Sequence, residues 1–497
     1  MARTPVTKND LVWLLMDRPN NLMYVHSLMW LKETPDWDAV RANLQERVVD
    51  RFPVFRRRAV EIDGTWYWED IEDFDVEGQI RRVTLPAPGG RAEASAYVSE
   101  RMSQPFDHSK PLWEIDYLEG AAGFDGTGEG VLVFSRFHHG LADGIRLVQV
   151  MLSQLDPLVE MKMPKAVGRR PGGRRGPLHQ ATDLAKSTVA DGFDFVLGAG
   201  KAAFRAPVHL ATSSPRTLAR KARRYRDPAR IVERVSEVAS DDNELVNNFR
   251  TVGRLTLSGR SVDTVWSGTV GVEKKLTWIT GISLKDVRAA GKGRGASVND
   301  VLLSGVSLGV TDYLASKGVT DVDQVSWLIP VAIKPITEDI PEDLGNFFAV
   351  VNLPMPLGQH DTKKLLTDMH TRMNRLKNSA EPILIYTAQQ AIAETPEAVS
   401  VAVTNFIANK SAGQITNVPG PRVPMALAGT EVTAVLGFVP MSGDQPLGIC
   451  IFSYNGKVSI GLAADAALVP DLELLADCVE KGIERLTGEA TRSTVVA

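Results

Sequence analysis

Several features that define common protein classes are scarce in this chain of 497 residues. It has two cysteines, Cys450 and Cys478, which are too few for a disulfide framework and suit a reducing compartment. The first ten residues lack the apolar segment of a signal peptide. The best candidate for a membrane span, residues 425–441, is interrupted by Glu431 and falls short of the roughly 18 apolar residues required. We therefore expect a cytoplasmic protein whose contacts with membranes are peripheral.

Charge of neither sign dominates overall, but charge is unevenly distributed along the chain. The formal net charge is −4, yet residues 162–234 hold 17 Lys or Arg against 5 Asp or Glu, a local charge of +12 that leaves −16 for the rest. A solvated linker is one interpretation of this segment. Contact with an anionic lipid surface is another, since each cation near such a surface contributes about 1 kcal/mol. No recognition motif accompanies the charge, so we expect no nucleic-acid partner.

What the chain does contain is a compact pattern at residues 131–155, VLVFSRFHHGLADGIRLVQVMLSQL. Its first seven residues are almost all apolar or strand-forming, as in a buried strand. His138 and His139 follow at once, and Asp143 and Gly144 come four and five residues after the second histidine. Beyond them the apolar residues recur at helical spacing. The pattern predicts a strand, a tight loop that carries two histidines and an aspartate, and a helix.

This loop has the chemistry of a proton-transfer site. A neutral imidazole has a pKa near working pH, so it can take a proton from a hydroxyl or thiol and later return it. The end of a rigid strand positions such a group better than a mobile loop does. Asp143 can orient an imidazole or hold the loop through a distant Arg or Lys, while Gly140 and Gly144 allow backbone angles that a side chain forbids. A lone histidine more often serves packing or part of a metal site, but the whole pattern favours catalysis.

A family resemblance rests on five stretches. Residues 138–144, HHGLADG, match the HHxxxDG signature of the acyl-CoA-dependent acyltransferase superfamily. The others are PFDHSKPLWEI at residues 105–115, Asn299-Asp300, Gly345-Asn346, and TNVPGP at residues 416–421. Together they make the chain similar to the bacterial wax ester synthase/diacylglycerol acyltransferases over nearly its whole length.

The resemblance implies both a fold and a reaction. The expected fold is two chloramphenicol acetyltransferase-like α/β sandwich domains with the active site at their junction, in keeping with strands that alternate with helices in both halves. The expected reaction moves a long-chain acyl group from acyl-CoA to diacylglycerol or a long-chain alcohol. His139 would be the general base in a direct transfer, with His138, Asp143 and Gly144 shaping the loop. No metal or cofactor is expected, and acyl-CoA enters as a substrate.

Two further site assignments come with alternatives. The resemblance implies that Pro111, Leu112 and Trp113 line a substrate channel, while the same residues can equally form a rigid strand entrance with a core tryptophan. Asn299 falls in the first turn of a predicted helix, where its amide and the helix dipole can face a developing negative charge. On spacing alone, Asn299 is a capping residue.

At two positions the chain departs from the family pattern. Lys334 and Phe347 occur where the family commonly has arginine. Lysine is not a planar fork like arginine, and phenylalanine has no side-chain donor, so any anion contact carried over to these positions is in doubt.

The chain is expected to divide into residues 1–163 with the HHxxxDG loop, a basic and partly helical crossover at 164–266, and a second domain at 267–497. Two rival functions remain open. One is acylation of a different hydroxyl or amine by an enzyme of the same superfamily. The other is a catalytically weak protein of lipid surfaces, for which the basic segment would be the main feature.

Local patterns also predict individual elements. A helix at residues 11–16 is capped by Asn9 or Asp10, and Asp63-Gly64 marks a hairpin. Residues 297–300 form a capping box for a long helix, on which Gly305 and Gly309 permit close approach of another element. Residues 454–462 are predicted as a strand with an Asn-Gly turn, and residues 471–486 as the closing helix.

Overall fold

The computed structural model describes residues 2–123, 129–159, 264–333, 340–378 and 381–495. The crossover segment with its basic residues lies almost entirely outside these ranges, as does Lys334, so the predictions made for them lie outside the described residues.

The described α-helices alternate with strands in both halves of the chain. They are α1 (Lys8–Met16), α2 (Trp37–Leu44), α3 (Arg91–Met102), α4 (Gly144–Ser153), α5 (Leu284–Lys292), α6 (Val298–Ser316), α7 (Thr362–Asn378), α8 (Glu381–Ala393), α9 (Glu397–Ala408) and α10 (Leu472–Val495). The strands of the first half are β1 (Arg3–Pro5), β2 (Tyr24–Leu31), β3 (Arg57–Ile62), β4 (Thr65–Asp70), β5 (Ile80–Thr84), β6 (Trp113–Ala122), β7 (Glu129–His138) and β8 (Leu155–Pro157). Those of the second half are β9 (Lys274–Ser283), β10 (Gln324–Ala332), β11 (Phe348–Pro356), β12 (Gly413–Pro419), β13 (Met425–Leu427), β14 (Thr430–Phe438), β15 (Leu447–Tyr454) and β16 (Lys457–Asp465).

Two large sheets organise these elements. The first has seven strands in the order β5-β6-β7-β2-β14-β13-β8, and the second has six in the order β11-β10-β12-β15-β16-β9. The strand β7 pairs with β6 on one side and β2 on the other, both antiparallel. It therefore lies inside the sheet, and its last residue, His138, is held by neighbours on both sides.

The sheets do not follow the division predicted from the sequence. The strands β13 and β14 come from the second half of the chain, yet β14 pairs antiparallel with β2 and joins the first sheet. Residues 267–497 are therefore not a self-contained unit, because two of their strands complete the sheet that contains β7. The same two strands account for the apolar stretch at residues 425–441. No helix in the described ranges is long and apolar enough to cross a bilayer.

The predicted close approach on α6 is confirmed. A Cβ added to Gly305 would lie 2.3 Å from Ile483 Cγ1, and one added to Gly309 would lie 2.3 Å from the Cα of Val479. Both neighbours belong to α10, so only glycine lets the two helices pack at this separation. The capping box of Ser297 with Asp300 and the hairpin at Asp63-Gly64 are also as predicted.

Other local predictions were wrong in detail. The helix α1 is capped by Thr7, whose side chain accepts from the amide of Asp10. At residues 454–462 the predicted Asn-Gly turn is confirmed, since Asn455-Gly456 connects β15 to β16 in a hairpin, but the strand that follows begins at Lys457 and continues to Asp465. The helix α8 was not anticipated. Its residues are largely apolar without a clear amphipathic period, so helical spacing gave little signal there.

Candidate active site

The loop of residues 138–144, which we call the catalytic loop, connects β7 to α4. Asp143 is the N-cap of α4 and accepts a hydrogen bond from the amide of Arg146 at 2.9 Å. Residues 138–143 are all buried. The predicted strand, loop and helix are therefore present, and the polar residues of the loop lie inside the protein.

His138 makes contacts that shape the loop. Its Nδ1 accepts from the amide of Gly140 at 2.8 Å, and its Nε2 lies 3.2 Å from Asp17 Oδ2 at the end of α1. The side chain is fully buried. Both ring nitrogens thus face groups of the protein rather than a substrate.

His139 is buried between aromatic rings. Its ring stacks on Trp13 with centroids 4.2 Å apart and an interplanar angle of 22°, and Phe348 lies 5.4 Å away at a tilt. Its backbone amide donates to the carbonyl of Met23 at 2.7 Å. Nδ1 is buried and makes no hydrogen bond of normal geometry within the described residues. The side chain is therefore positioned by stacking rather than by a carboxylate.

Burial lowers the pKa of His139 to about 4. The main cause is desolvation of the charged form, and the neighbouring His138 also lowers the pKa. The residue's own backbone carbonyl and the side chain of Asn346 act in the opposite direction and partly raise it. At neutral pH the imidazole is therefore uncharged, which is the form that can accept a proton.

Asp143 binds the loop to the second half of the chain. Its Oδ2 accepts from the amide of Phe347 at 3.1 Å, and its own amide donates to the carbonyl of Gly345 at 3.2 Å. Within the described residues its hydrogen bonds thus come from main-chain amides, not from an imidazole or a distant cation as the sequence suggested. Burial raises the pKa of this carboxyl group, although the amides of Arg146 and Phe347 oppose the shift.

Asn346 and Asp10 complete the site and were not assigned to it from the sequence. The amide nitrogen of Asn346 donates both to Asp10 Oδ1 at 2.8 Å and to the backbone carbonyl of His139 at 3.0 Å. Both side chains are buried. Asn9 donates to the carbonyl of Asn346 at 2.7 Å, so α1 contacts the same residue twice. The Gly345-Asn346 motif was the one signal in the sequence that pointed to Asn346. The motif did not indicate that Asn346 would contact Asp10 or His139.

The two glycines of the loop do not have the unusual backbone angles that were predicted from the sequence. Neither has a backbone conformation in the left-handed region. A Cβ on Gly140 would lie 3.0 Å from both His138 Nδ1 and the side chain of Leu14, a tighter contact than most side chains make, so packing favours glycine there. A Cβ on Gly144 would meet nothing within 4 Å, and the backbone-angle argument was wrong for both positions.

The Pro111-Leu112-Trp113 stretch is part of the core. Leu112 and Trp113 are fully buried, the indole of Trp113 donates to the carbonyl of Phe55 at 2.8 Å, and the carbonyl of Leu112 accepts from the amide of His138 at 2.9 Å. These contacts agree with the rigid-entrance alternative and connect the stretch to the catalytic loop. A role in lining a substrate channel stays a prediction.

Asn299 lies in the second half of the molecule at the start of α6. Its Oδ1 accepts from Asn417 Nδ2 at 2.8 Å, and Asn417 belongs to β12. The carbonyl of His139 is held by Asn346 instead, and no contact that the structure describes joins Asn299 to the loop. Stabilisation of an oxyanion by Asn299 therefore stays a prediction.

The departure from the family pattern at Phe347 is accommodated through the backbone. The residue contacts Asp143 with its main-chain amide, a bond that any side chain except proline allows. The loss of an arginine here therefore does not remove the connection between the catalytic loop and the second half.

Comparison with known proteins matches this architecture to one family. The profile of the wax ester synthase/diacylglycerol acyltransferase catalytic domain matches residues 6–302, and that of the WS/DGAT C-terminal domain matches residues 344–487. The chain belongs to this family. It is therefore an acyltransferase, and the resemblance carried by the five motifs is confirmed.

Individual relatives are distant but cover nearly the whole chain. The O-acyltransferase WSD of Acinetobacter baylyi is 23% identical over 500 residues, which span 97% of both chains. The structure of a wax ester synthase/diacylglycerol acyltransferase from Marinobacter aquaeolei VT8 superposes with a TM-score of 0.64 at 19% identity, covering 98% of this chain and all of the other. The first condensation domain of the calcium-dependent antibiotic synthetase has a TM-score of 0.56 at 12% identity, over 98% of this chain and 96% of that one. These likenesses confirm the expected two-lobed α/β fold.

Proposed function

We infer that this acyltransferase moves a long-chain acyl group from acyl-CoA to the hydroxyl of diacylglycerol or of a long-chain alcohol. The observation that carries the proposal is the buried, uncharged imidazole of His139, held at the end of an internal strand by contacts from α1 and from residues 345–347. The names of the family and of the relatives described above support this choice of donor and acceptors.

His139 acts as the general base. Because Nδ1 is buried, Nε2 is the nitrogen that faces the acceptor hydroxyl. It takes the hydroxyl proton as the oxygen attacks the thioester carbonyl, and the carbon–oxygen bond forms. The tetrahedral intermediate then collapses, the carbon–sulfur bond breaks, and the proton passes from the imidazolium to the departing CoA sulfur. The step needs no serine or cysteine nucleophile, metal or cofactor.

Asn299 is our candidate donor to the oxyanion. Asn417 binds its amide oxygen, so the amide nitrogen points away from that contact and keeps its two hydrogens for another acceptor. A preorganised donor of this kind would stabilise the negative charge that develops on the thioester oxygen. Pro111, Leu112 and Trp113 would form the wall next to the reacting group.

The reaction can be tested by offering labelled palmitoyl-CoA with hexadecanol in one assay and diacylglycerol in another. We expect ester formation by the wild-type protein and a roughly 10²- to 10⁴-fold loss in His139→Ala, since a general base contributes about that much. His360→Ala, at an exposed position, is the matched control and should retain activity. Wild-type-like turnover by folded His139→Ala would exclude the assigned base. No ester with either acceptor would favour a different hydroxyl or amine.

We also propose a peripheral association with membranes or lipid bodies. Both acceptors are poorly soluble in water, and residues 162–234 carry a local charge of +12 that suits an anionic surface. Deletion of residues 168–176 removes four arginines and should weaken sedimentation with vesicles that contain anionic lipid, while binding to neutral vesicles stays unchanged. Equal binding by both proteins would show that this stretch is not the anchor.

A further inference from the structure

His139 has an unusual set of neighbours for a histidine that must become positively charged. A base that takes a proton turns into an imidazolium, and in many enzymes a carboxylate bonded to the other ring nitrogen stabilises it. Here Nδ1 of His139 has no such partner among the described residues. Its closest ring contact is the face of Trp13, 4.2 Å away and nearly parallel.

Several titratable groups surround the loop. They are His108 and His138, Asp10 and Asp17 on or beside α1, Asp143 and Arg146 at the start of α4, and Tyr386 on α8. Asp17 lies against His138, Asp10 is bound by Thr7 and Asn346, and Asp143 is bound by main-chain amides. None of these carboxylates is among the groups that shift the pKa of His139; the groups that favour its charged form are its own backbone carbonyl and the uncharged side chain of Asn346.

We propose that the face of the Trp13 indole stabilises the imidazolium that His139 becomes during proton transfer. Trp13 thereby takes the place of the carboxylate in a conventional triad, and α1 supplies a group for the chemistry as well as contacts that position the loop. The inference rests on the proposed function, in which His139 is the base.

The physical basis is the quadrupole of the aromatic ring. An indole face is negative, attracts a cation held over it, and does so most strongly where water is excluded. Trp13 and His139 are both largely buried, and Phe348 lies against the same pair. Because the positive charge exists only while the proton is on the imidazole, the attraction lowers the energy of the transition state more than that of the bound substrate. The effect should therefore appear in kcat and leave KM unchanged.

Fluorination of the indole separates this role from a purely structural one. Each fluorine withdraws electron density from the ring face with little change in shape, so it weakens the attraction of that face for a cation while the volume that packs against His139 is nearly kept. Site-specific incorporation of mono-, di- and trifluorotryptophan at position 13 should lower kcat stepwise, by roughly 3- to 30-fold in total, the range of a cation–π contact. The same series at Trp66, in the hairpin of β3 and β4, is the control and should have no effect.

Two side-chain replacements extend the test. Trp13→Phe keeps an aromatic face and should retain more activity than Trp13→Leu, which fills similar space without one, while thermal unfolding shows whether both variants fold. A kcat that stays constant or rises across the fluorinated series would overturn the role of Trp13. If His139→Ala is inactive in the same assay, the assignment of His139 as the base holds even when the role of Trp13 is overturned. Full turnover by His139→Ala would overturn both.

Discussion

The catalytic loop and the Asn-Asp turn at residues 297–300 begin their helices in the same way but are held very differently. Each has a side chain that caps the following helix, Asp143 for α4 and Ser297 for α6. The Asn-Asp turn is largely local, since Ser297 and Asp300 bond each other across three residues. The catalytic loop depends on Asn346 and Phe347, which lie more than 200 residues away.

The two regions also differ in their environment. The Asn-Asp turn has one distant side-chain partner for its aspartate, His370 on α7, at 2.8 Å from Asp300 Oδ2, and that histidine is about one-third exposed. The catalytic loop is closed off from water on the side of α1. A site that keeps its base dry must be assembled from segments distant in sequence, because no short stretch can surround itself. Removing the contacts that the catalytic loop makes with distant segments should therefore lower activity strongly. Substitutions in the Asn-Asp turn should lower it less.

Among substitutions of the contacts that hold the loop, the largest effect is expected from Asn346→Ala. The substitution removes the donors to Asp10 and to the carbonyl of His139, so the proposed base loses the direct hydrogen bond that holds it from the second half, while the bonds of Asp143 to residues 345 and 347 remain. We expect kcat to fall by roughly 10²-fold, the scale of a displacement of about 1 Å. Steady-state kinetics with labelled acyl-CoA measure it, and Asn374→Ala, whose side chain contacts His370 on the surface of α7, is the control. A kcat within about twofold of wild type would show that the loop holds itself.

The next effect concerns pH and follows from the burial of His139. The base must be uncharged, and with a pKa of about 4 it stays so at pH 5 in about 90% of molecules. A histidine with the ordinary pKa of 6.5 would be uncharged in only about 3% of molecules at that pH. We therefore expect kcat/KM to decline near pH 4, not near pH 6.5. A decline of kcat/KM centred near pH 6.5, measured while the protein is folded, would contradict the burial of His139 away from water.

Unfolding must be followed in the same experiment, because the lowered pKa of His139 also affects stability. The unfolded chain binds a proton at this residue first, so its contribution to stability is complete above pH 6.5 and is lost as the pH falls from 6.5 toward 4. Circular dichroism at each pH separates this loss from protonation of the base. The raised pKa values of Asp10 and Asp143 act in the opposite direction, since burial disfavours their charged forms.

The smallest effect compares the two helix caps directly. Asp143→Ala should lower the free energy of unfolding by about 2 kcal/mol, since it removes a cap and leaves the amide of Phe347 without its acceptor. It should also lower kcat by roughly 10-fold because the loop loses one of its connections to the second half. Ser297→Ala should cost about 1 kcal/mol with at most a twofold change in kcat. Denaturant titration and kinetics measure both, and equal losses of kcat would remove the distinction between the two regions.

Much of the fold could be predicted from neighbouring residues. The strand before His138, the helix after Asp143, the capping box at Ser297 and the helix packing at Gly305 and Gly309 all follow from spacing and residue type. The errors lie where a pattern is weak or ambiguous. The apolar helix α8 has no clear amphipathic period, and α1 has three neighbouring polar residues that could cap it, Thr7, Asn9 and Asp10, between which residue type alone does not decide.

The sequence by itself determined the family, the HHxxxDG motif and the local elements, because periodicity, helix caps and motifs depend on residues that are close together in the chain. Only the tertiary structure decided that β14 completes the first sheet, that Asn346 and Asp10 hold the loop, and that Trp13 covers His139. The lowered pKa of His139 was likewise decided only by the tertiary structure. These properties arise from contacts between segments far apart in the chain, and such contacts depend on how the whole molecule packs rather than on any single stretch.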